Sequence, residues 1–317
     1  MSRPVKISLV SFRTLPAESP GRHAKTLMRM AGHVDEAACR DSALVAFPET
    51  CPYLASGETW AATEPLDGPT LTTMRAKAAE HGIYVVCPLA TEDEGVHHNS
   101  SILIGRDGAI AGIYHKNALT QEELDVGMIP GTEAPVFETD FGRVGLCICF
   151  DMLHWEVGNR LAAGGAELVI WSSMPPGGRW VSRWPMEFGY HLAAVCSNRC
   201  TVLDVAGREI AMNRGLIADA TEGAVPPLTT TTIDLDRRLL CHDFNLKRLK
   251  DVCAKYGSHN LHIEWDRGEC LVLFGSLMPD VSTDTLMAEF EMETMYDYLQ
   301  RSRRSCQQAI EGTYRPR

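Results

Sequence analysis

No stretch of the sequence approaches the roughly 18 consecutive apolar residues of a membrane-spanning helix. The opening "MSRPVKISLVSF" has no apolar run of signal-peptide length behind its basic residues. A cytoplasmic protein with no membrane partner is therefore expected. Positive charge is also in short supply: 30 Lys and Arg stand against 41 Asp and Glu, a formal net charge of -11. A phosphate-backbone partner requires clustered cations to displace its counterions, so nucleic acid is excluded as an expected ligand. Repeats and low-complexity tracts are absent. Apolar content of 45% and charged content of 22% lie near globular averages, which excludes a disordered or fibrous class.

Cysteine is not scarce, but it lacks order. Eleven cysteines scattered over 317 residues fit reduced thiols better than a disulfide framework. Cys147 and Cys149 form C-x-C, Cys196 and Cys200 form C-x3-C, and His259 and His262 form H-x2-H. None has a second ligand pair at zinc spacing, so neither a metal nor any other cofactor is expected.

Short Val- and Ile-rich runs alternate with segments of helical period, the pattern of a layered α/β protein. Strands are expected at 5–12, 43–47, 83–90, 100–105, 110–115, 143–150, 166–173, 193–198, 200–205 and 229–235, and helices at 21–40, 70–81, 153–164, 182–192 and 284–310. "GRDG" at 105–108 reads as a hairpin turn, because Asp-Gly tolerates the positive φ of tight turns, so the sheet is expected to be mixed. "GAVPP" at 223–227 reads as a loop. Residues 1–280 are expected to form one domain and 281–317 a C-terminal helical arm. Its basic end is either a solvated face with a frayed terminus or an arm that docks on another subunit.

The chemistry concentrates at three strand ends. In "GRVGLCICFDMLHWE", Cys147 and Cys149 are expected to share one face, with Cys149 at the carboxyl end where the chain turns into a helix. A thiol there stands above the sheet, near a helix N-terminus whose dipole favours a thiolate. "LVAFPET" places Glu49 at a second strand end and "IAGIYHKNAL" places Lys116 at a third, so an acid, a base and a thiol converge on one edge.

These three segments resemble the nitrilase superfamily of carbon-nitrogen hydrolases. "FPE", "YHK" and "GLCICFD" match that family's glutamate, lysine and nucleophile motifs in order, and the likeness covers most of residues 5–235. The resemblance implies an α/β fold, a four-layer α-β-β-α sandwich with mixed sheets, and a homodimer or higher even-numbered oligomer. It also implies a second glutamate after the lysine. In "LTQEELDVGMIPG", Glu123 matches better than Glu122 when measured back from the Pro130-Gly131 turn.

On that resemblance Cys149 is the nucleophile, Glu49 takes its proton, Lys116 stabilises the oxyanion with the Phe150 amide, and Glu123 orients Lys116 or the leaving nitrogen. Carboxylates and thiols differ by about four pKa units, roughly 6 kcal/mol, a gap that the environment has to close. Tyr53, Phe150, Trp171, Ser172 and Arg179 are the candidate substrate-binding residues, with Arg183 a second possible carboxylate clamp. Phe150-Asp151 stands where the family's nitrilases usually carry Trp-Glu, which favours a small-molecule amide or carbamoyl substrate over a nitrile. Met152 and Leu153 stand where its carbamoyl amino acid hydrolases often carry arginines, which favours the amide. N-carbamoyl amino acid hydrolase, nitrilase, a catalytically silent oligomeric scaffold and a Cys149–His154 hydrolase remain as alternatives. If side chains alone carry the chemistry, dialysis against a chelator leaves the activity intact; loss restored by zinc would refute the metal-free mechanism.

Overall fold

The structure is a computed structural model that describes residues 2–12, 21–53, 62–213, 228–266 and 268–315. The loop expected at 223–227 lies outside the described residues. One six-stranded sheet consists of β1 (Pro4–Val10), β2 (Leu44–Ala46), β3 (Tyr84–Asp93), β4 (Val96–Ile104), β5 (Ile110–His115) and β12 (Leu228–Asp234), in the order β12-β1-β2-β3-β4-β5. The second consists of β6 (Val136–Glu138), β7 (Arg143–Ile148), β8 (Leu168–Ser173), β9 (His191–Cys196), β10 (Cys200–Leu203) and β11 (Glu209–Met212), in the order β11-β10-β9-β8-β7-β6. In each sheet a parallel trio, β1-β2-β3 or β7-β8-β9, is flanked by antiparallel strands. The hairpin at 105–108 joins β4 to β5, with Gly108 at φ 77° donating its N–H to Gly105 O at 2.9 Å.

Strand alternation builds the layers. Leu44 and Ala46 of β2 and Val86 of β3 pack in the core that contains the second sheet, whereas Val45, Val85 and Cys87 pack with α1 (Arg22–Cys39) and α2 (Pro69–His81). On the far side, α4 (Trp155–Ala163) and α5 (Arg183–Phe188) cover the second sheet through Val157, Leu161, Trp184 and Phe188. The result is the expected four-layer α-β-β-α sandwich. These packed residues are apolar, so area removed from water supplies most of what holds the two sheets together.

Three expectations change. The helix expected over 182–192 is only α5, because Gly189 closes it at φ 77° and β9 starts at His191. The helix expected over 284–310 is two, α7 (Thr283–Glu289) and α8 (Met295–Ile310), broken where Glu291 takes φ 51° and the Thr294 side chain caps α8 by accepting from Asp297 N. In chain order between the sandwich and these helices comes a third sheet of β13 (Arg237–Cys241), β14 (Leu261–Asp266) and β15 (Leu271–Ser276), with α6 (His242–Tyr256) packed on it around Leu240, Leu249, Val252, Val272 and Phe274. The α6 stripe was hidden because Asn245 is one of its buried positions. That side chain donates to Cys241 O and Glu293 O and accepts from Glu293 N, so it fastens α6 to the segment between α7 and α8.

α8 lies against α5 and ties to α4 through Asn159, whose Oδ1 accepts from Tyr296 Oη at 3.2 Å and Gln300 Nε2 at 2.9 Å. α4 in turn meets α5 at Gly158, where a Cβ would stand 2.3 Å from the Phe188 ring. Gly158→Ala gains about 1 kcal/mol in helix propensity, but Phe188 is itself held by Trp184 and Tyr190, so overpacking at about 1–3 kcal/mol or more wins. The variant is expected to melt lower than the parent by at least about 2 °C in a thermal scan; an unchanged or higher Tm would show that Phe188 can move aside.

Candidate active site

The carboxyl ends of β2, β5, β7 and β8 meet at one edge of the sandwich. β5 runs antiparallel to β4 and β4 antiparallel to β3, so β5 points the same way as β2 and delivers Lys116 beside Glu49. The Lys116 backbone is fixed on both sides: its N–H donates to Asn99 O at 2.8 Å and its C=O accepts from Gly131 N at 2.9 Å. Gly131 is needed for that contact, because a Cβ there would fall 2.3 Å from His115 O.

Lys116 Nζ is buried between two carboxylates. It donates to Glu49 Oε1 at 3.1 Å and to Glu123 Oε1 and Oε2 at 2.9 and 2.8 Å, and none of the three residues is more than 1% exposed. Glu123 belongs to α3 (Gln121–Asp125), where it closes a capping box with Thr120 and accepts from Thr120 N at 2.7 Å. Glu122 points elsewhere and is exposed. Asn99 Nδ2 donates to both Glu49 Oε1 and Glu123 Oε1, at 2.9 and 2.7 Å. The other oxygen of Glu49 accepts from Met174 N at 3.1 Å, just beyond β8, so this one carboxylate joins the two sheets.

The electrostatics follow from this clamp. Burial works against the Lys116 charge, yet Glu49 and Glu123 outweigh it and hold the ammonium above the ordinary lysine range. Burial likewise opposes the Glu123 charge, and Lys116, Asn99 and the Thr120 N–H overcome it, so Glu123 titrates below the usual carboxylate range.

Cys149 does not continue the strand as expected. β7 ends at Ile148, and Cys149 opens a 3₁₀ turn, Cys149–Leu153, with φ 44°. A non-glycine residue in this region costs of order 1–2 kcal/mol, and its neighbours enforce it. Trp171 Nε1 donates to Cys149 O at 2.9 Å, and Ile148 N donates to Asp151 Oδ2 at 2.9 Å. Cys147 therefore does not share the site with Cys149. It is fully buried in the core, and burial pushes its thiol far up.

The Cys149 thiol is half-buried, and the Glu49, Lys116 and Ser173 side chains lie near enough to act on it electrostatically. Burial, followed by the negative charge of Glu49, pushes it up to about 12 against the pull of Lys116. The neighbouring ammonium and helix N-terminus are expected to favour the thiolate. At Cys149 burial and the Glu49 charge outweigh Lys116, which has both carboxylates in direct contact.

The substrate-binding candidates divide. Phe150 is 36% exposed beside Cys149, edge-on to His154 at 5.3 Å. Arg179 is exposed on the 3₁₀ turn Gly178–Ser182, which adjoins the Cys149 turn, and Arg183 pairs with Glu187. Trp171 is buried and occupied with the Cys149 carbonyl, and the Ser172 hydroxyl donates across the sandwich to Phe47 O at 3.0 Å. Tyr53 donates to Glu64 Oε1 at 2.9 Å and stacks on His23. His154, the Cys149–His154 alternative's base, turns its ring to Phe150. Sequence reasoning missed Asn99 and Ser173. Their signal was polarity in otherwise apolar strands, in "HHNSSILI" and "LVIWSS".

Among the described residues Asp35, Glu80 and His81 form a group with metal-like spacing, but it lies on the outer helices α1 and α2, where Lys77 Nζ already stands 2.8 Å from Asp35 and 2.9 Å from Glu80. A cavity of about 370 Å³ lined by Arg143, Glu167, His191, Arg238 and Asp284 lies at the amino ends of β7, β8 and β9, opposite to Cys149. Its guanidiniums face carboxylates, Arg238 Nη2 standing 2.7 Å from Asp284 Oδ2. Cys149, Glu49 and Lys116 stand together at the other end.

Known proteins agree with this architecture. The chain is 31% identical over 168 residues to an (R)-stereoselective amidase from Pseudomonas sp, covering 52% of this chain and 59% of that one. It is 28% identical over 175 residues to a probable nitrilase from Schizosaccharomyces pombe, covering 52% and 63%. The matched segments thus span less than two-thirds of these relatives. The crystal structure of an amidase from Nesterenkonia sp. superposes with a TM-score of 0.62 at 19% identity, over 74% of this chain and 90% of that one. Residues 10–197 match the family profile described as carbon-nitrogen hydrolase, and the chain belongs to that family, within the nitrilase superfamily.

Proposed function

We propose that the protein hydrolyses a small-molecule amide through a thioester on Cys149, releasing ammonia or an amine. The observation that carries this reading is the half-buried thiol on a strained turn, close enough to the buried Glu49 carboxylate and the buried Lys116 ammonium, themselves in contact, to feel both charges. Support also comes from a mutant of the Nesterenkonia sp. amidase, in which the acetamide moiety of fluoroacetamide adds covalently at the active-site cysteine.

Burial and the Glu49 charge hold the thiol above its ordinary range. On this reading proton transfer to Glu49 accompanies formation of the S–C bond. The carbonyl electron pair moves onto oxygen, where Lys116 and the Phe150 N–H stabilise the charge. Collapse breaks the C–N bond, with Glu49 returning its proton to the leaving nitrogen. Water then gives a proton to Glu49 as it attacks the thioester, and breaking the C–S bond restores the thiol and frees the acid. Glu123 and Asn99 hold Lys116 and Glu49 in register throughout.

Arg179 favours a second reading. Its exposed guanidinium beside the Cys149 turn suits a substrate carboxylate, as in a carbamoyl amino acid. Ammonia release from a panel of amides, carbamoyl amino acids and nitriles separates the two.

Cys149→Ala is expected to abolish turnover of the best substrate, whereas Cys147→Ala keeps kcat and loses stability. Equal loss in two folded variants would contradict the assignment. Lys116→Arg keeps the charge, which avoids leaving the buried carboxylates unpaired, but its planar fork cannot place one compact donor at the oxyanion. Steady-state kinetics should show kcat lower by about 10² to 10³ with KM less affected. Retention of more than about a third of parental kcat, well short of that loss, would make Lys116 a bystander.

A further inference from the structure

We infer that Asp151 is a positioning residue whose buried carboxylate joins the end of β5, just past Lys116, to the turn that carries Cys149, and so sets where the thiol stands relative to the ammonium. The inference rests on the reading of Cys149 and Lys116 given above and adds a residue to it.

Asp151 is 0% exposed, and four donors converge on it. Oδ1 accepts from Ala118 N at 2.8 Å and Asn117 N at 3.2 Å, the two residues that follow Lys116. Oδ2 accepts from Ile148 N at 2.9 Å, the residue before Cys149, and from Tyr114 Oη at 2.7 Å. Tyr114 is itself buried on β5, and its Oη also accepts from Asn117 N at 3.2 Å. Lys116 and Cys149 come from different sheets, and this side chain is a direct polar link between the segments that carry them. It also holds the backbone at the point where Cys149 enters φ 44°, a conformation that persists only while its surroundings impose it.

An amide cannot replace this carboxylate. Asn at 151 has one accepting oxygen and an NH₂ that must face donors. Tyr114 can rotate to accept from it, but the Ile148 N–H cannot, so the arrangement that loses least still loses the bond beside Cys149. Protonation has a related effect. Burial pushes Asp151 up to about 6, opposed by Tyr114 Oη, the N–H groups of Ala118 and Ile148, and the Lys116 charge. The titratable groups facing it are Tyr114 and Lys116 from the β5 end and Cys147 from β7. As pH falls through about 6, the carboxyl gains a proton and loses acceptor capacity among donors, so kcat should fall. Tyr114→Phe removes a bond that favours the ionised form, so the acid limb should move to higher pH.

The experiment measures kcat, KM and the kcat–pH profile for parent, Asp151→Asn, Tyr114→Phe and Cys149→Ala on the best substrate, with circular dichroism and thermal melting as checks on folding. Asp151→Asn is expected to lose roughly 30- to 100-fold in kcat with little change in KM, the loss typical of a misplaced reacting group. Tyr114→Phe should lose less and show the raised acid limb, which a purely structural role would not produce. Parental kcat in folded Asp151→Asn alongside an inactive Cys149→Ala would overturn this inference and leave the thioester reading intact. Activity in Cys149→Ala would overturn both. If Asp151→Asn does not fold, an unmoved acid limb and unchanged kcat in Tyr114→Phe overturn the inference.

Discussion

One buried ammonium organises the Cys149 end of the molecule. Lys116 is enclosed by Glu49 and Glu123, and removing the ammonium would strand two buried carboxylates at a cost of roughly 3–5 kcal/mol or more. The three side chains come from the ends of β2 and β5 and from the short helix α3, and Asn99 adds β4 by donating to both carboxylates. A five-residue helix such as α3 has little stability of its own. Its capping box and the Glu123–Lys116 pair are what hold it in place. Glu49 extends the constraint to the second sheet by accepting from Met174 N.

The same cluster sets the electrostatics of Cys149. Burial and the Glu49 charge push the thiol up to about 12, and the Lys116 ammonium, held by two carboxylates, only partly opposes them. On the proposed reading a neutral thiol waits for a substrate carbonyl, with the neighbouring Glu49 as proton acceptor, and the strained backbone at Cys149, held by Trp171 and Asp151, directs the thiol without requiring charge.

Much of this was legible in the amino-acid sequence, and the exceptions have physical causes. Ten of the twelve strands of the sandwich showed through as short β-branched runs bounded by turn residues, the short edge strands β6 and β11 being the exceptions, and the motifs around Glu49, Lys116 and Cys149 stand at strand ends where the fold brings them together. The third sheet and α6 were not legible, because Asn245 interrupts the apolar stripe and the β14 sequence "LHIEWD" mixes charge into its alternation. Asn99, Ser173 and the four contacts of Asp151 depend on which strands become neighbours. Periodicity along one strand does not contain that information. Extending strand alternation through Cys149 failed for a local reason: Asp151 captures the Ile148 N–H and turns the chain two residues early.

The central claim is that Cys149, and no other of the eleven cysteines, carries the acyl group. Acid-quenching the enzyme during turnover of a good amide, then mapping the modified peptide by mass spectrometry, tests it directly. The account predicts an added acyl mass on the peptide containing Cys149, labile to hydroxylamine as a thioester is. Steady turnover with the acyl group on another residue, or with no covalent species in a slow-deacylating substrate, would contradict it.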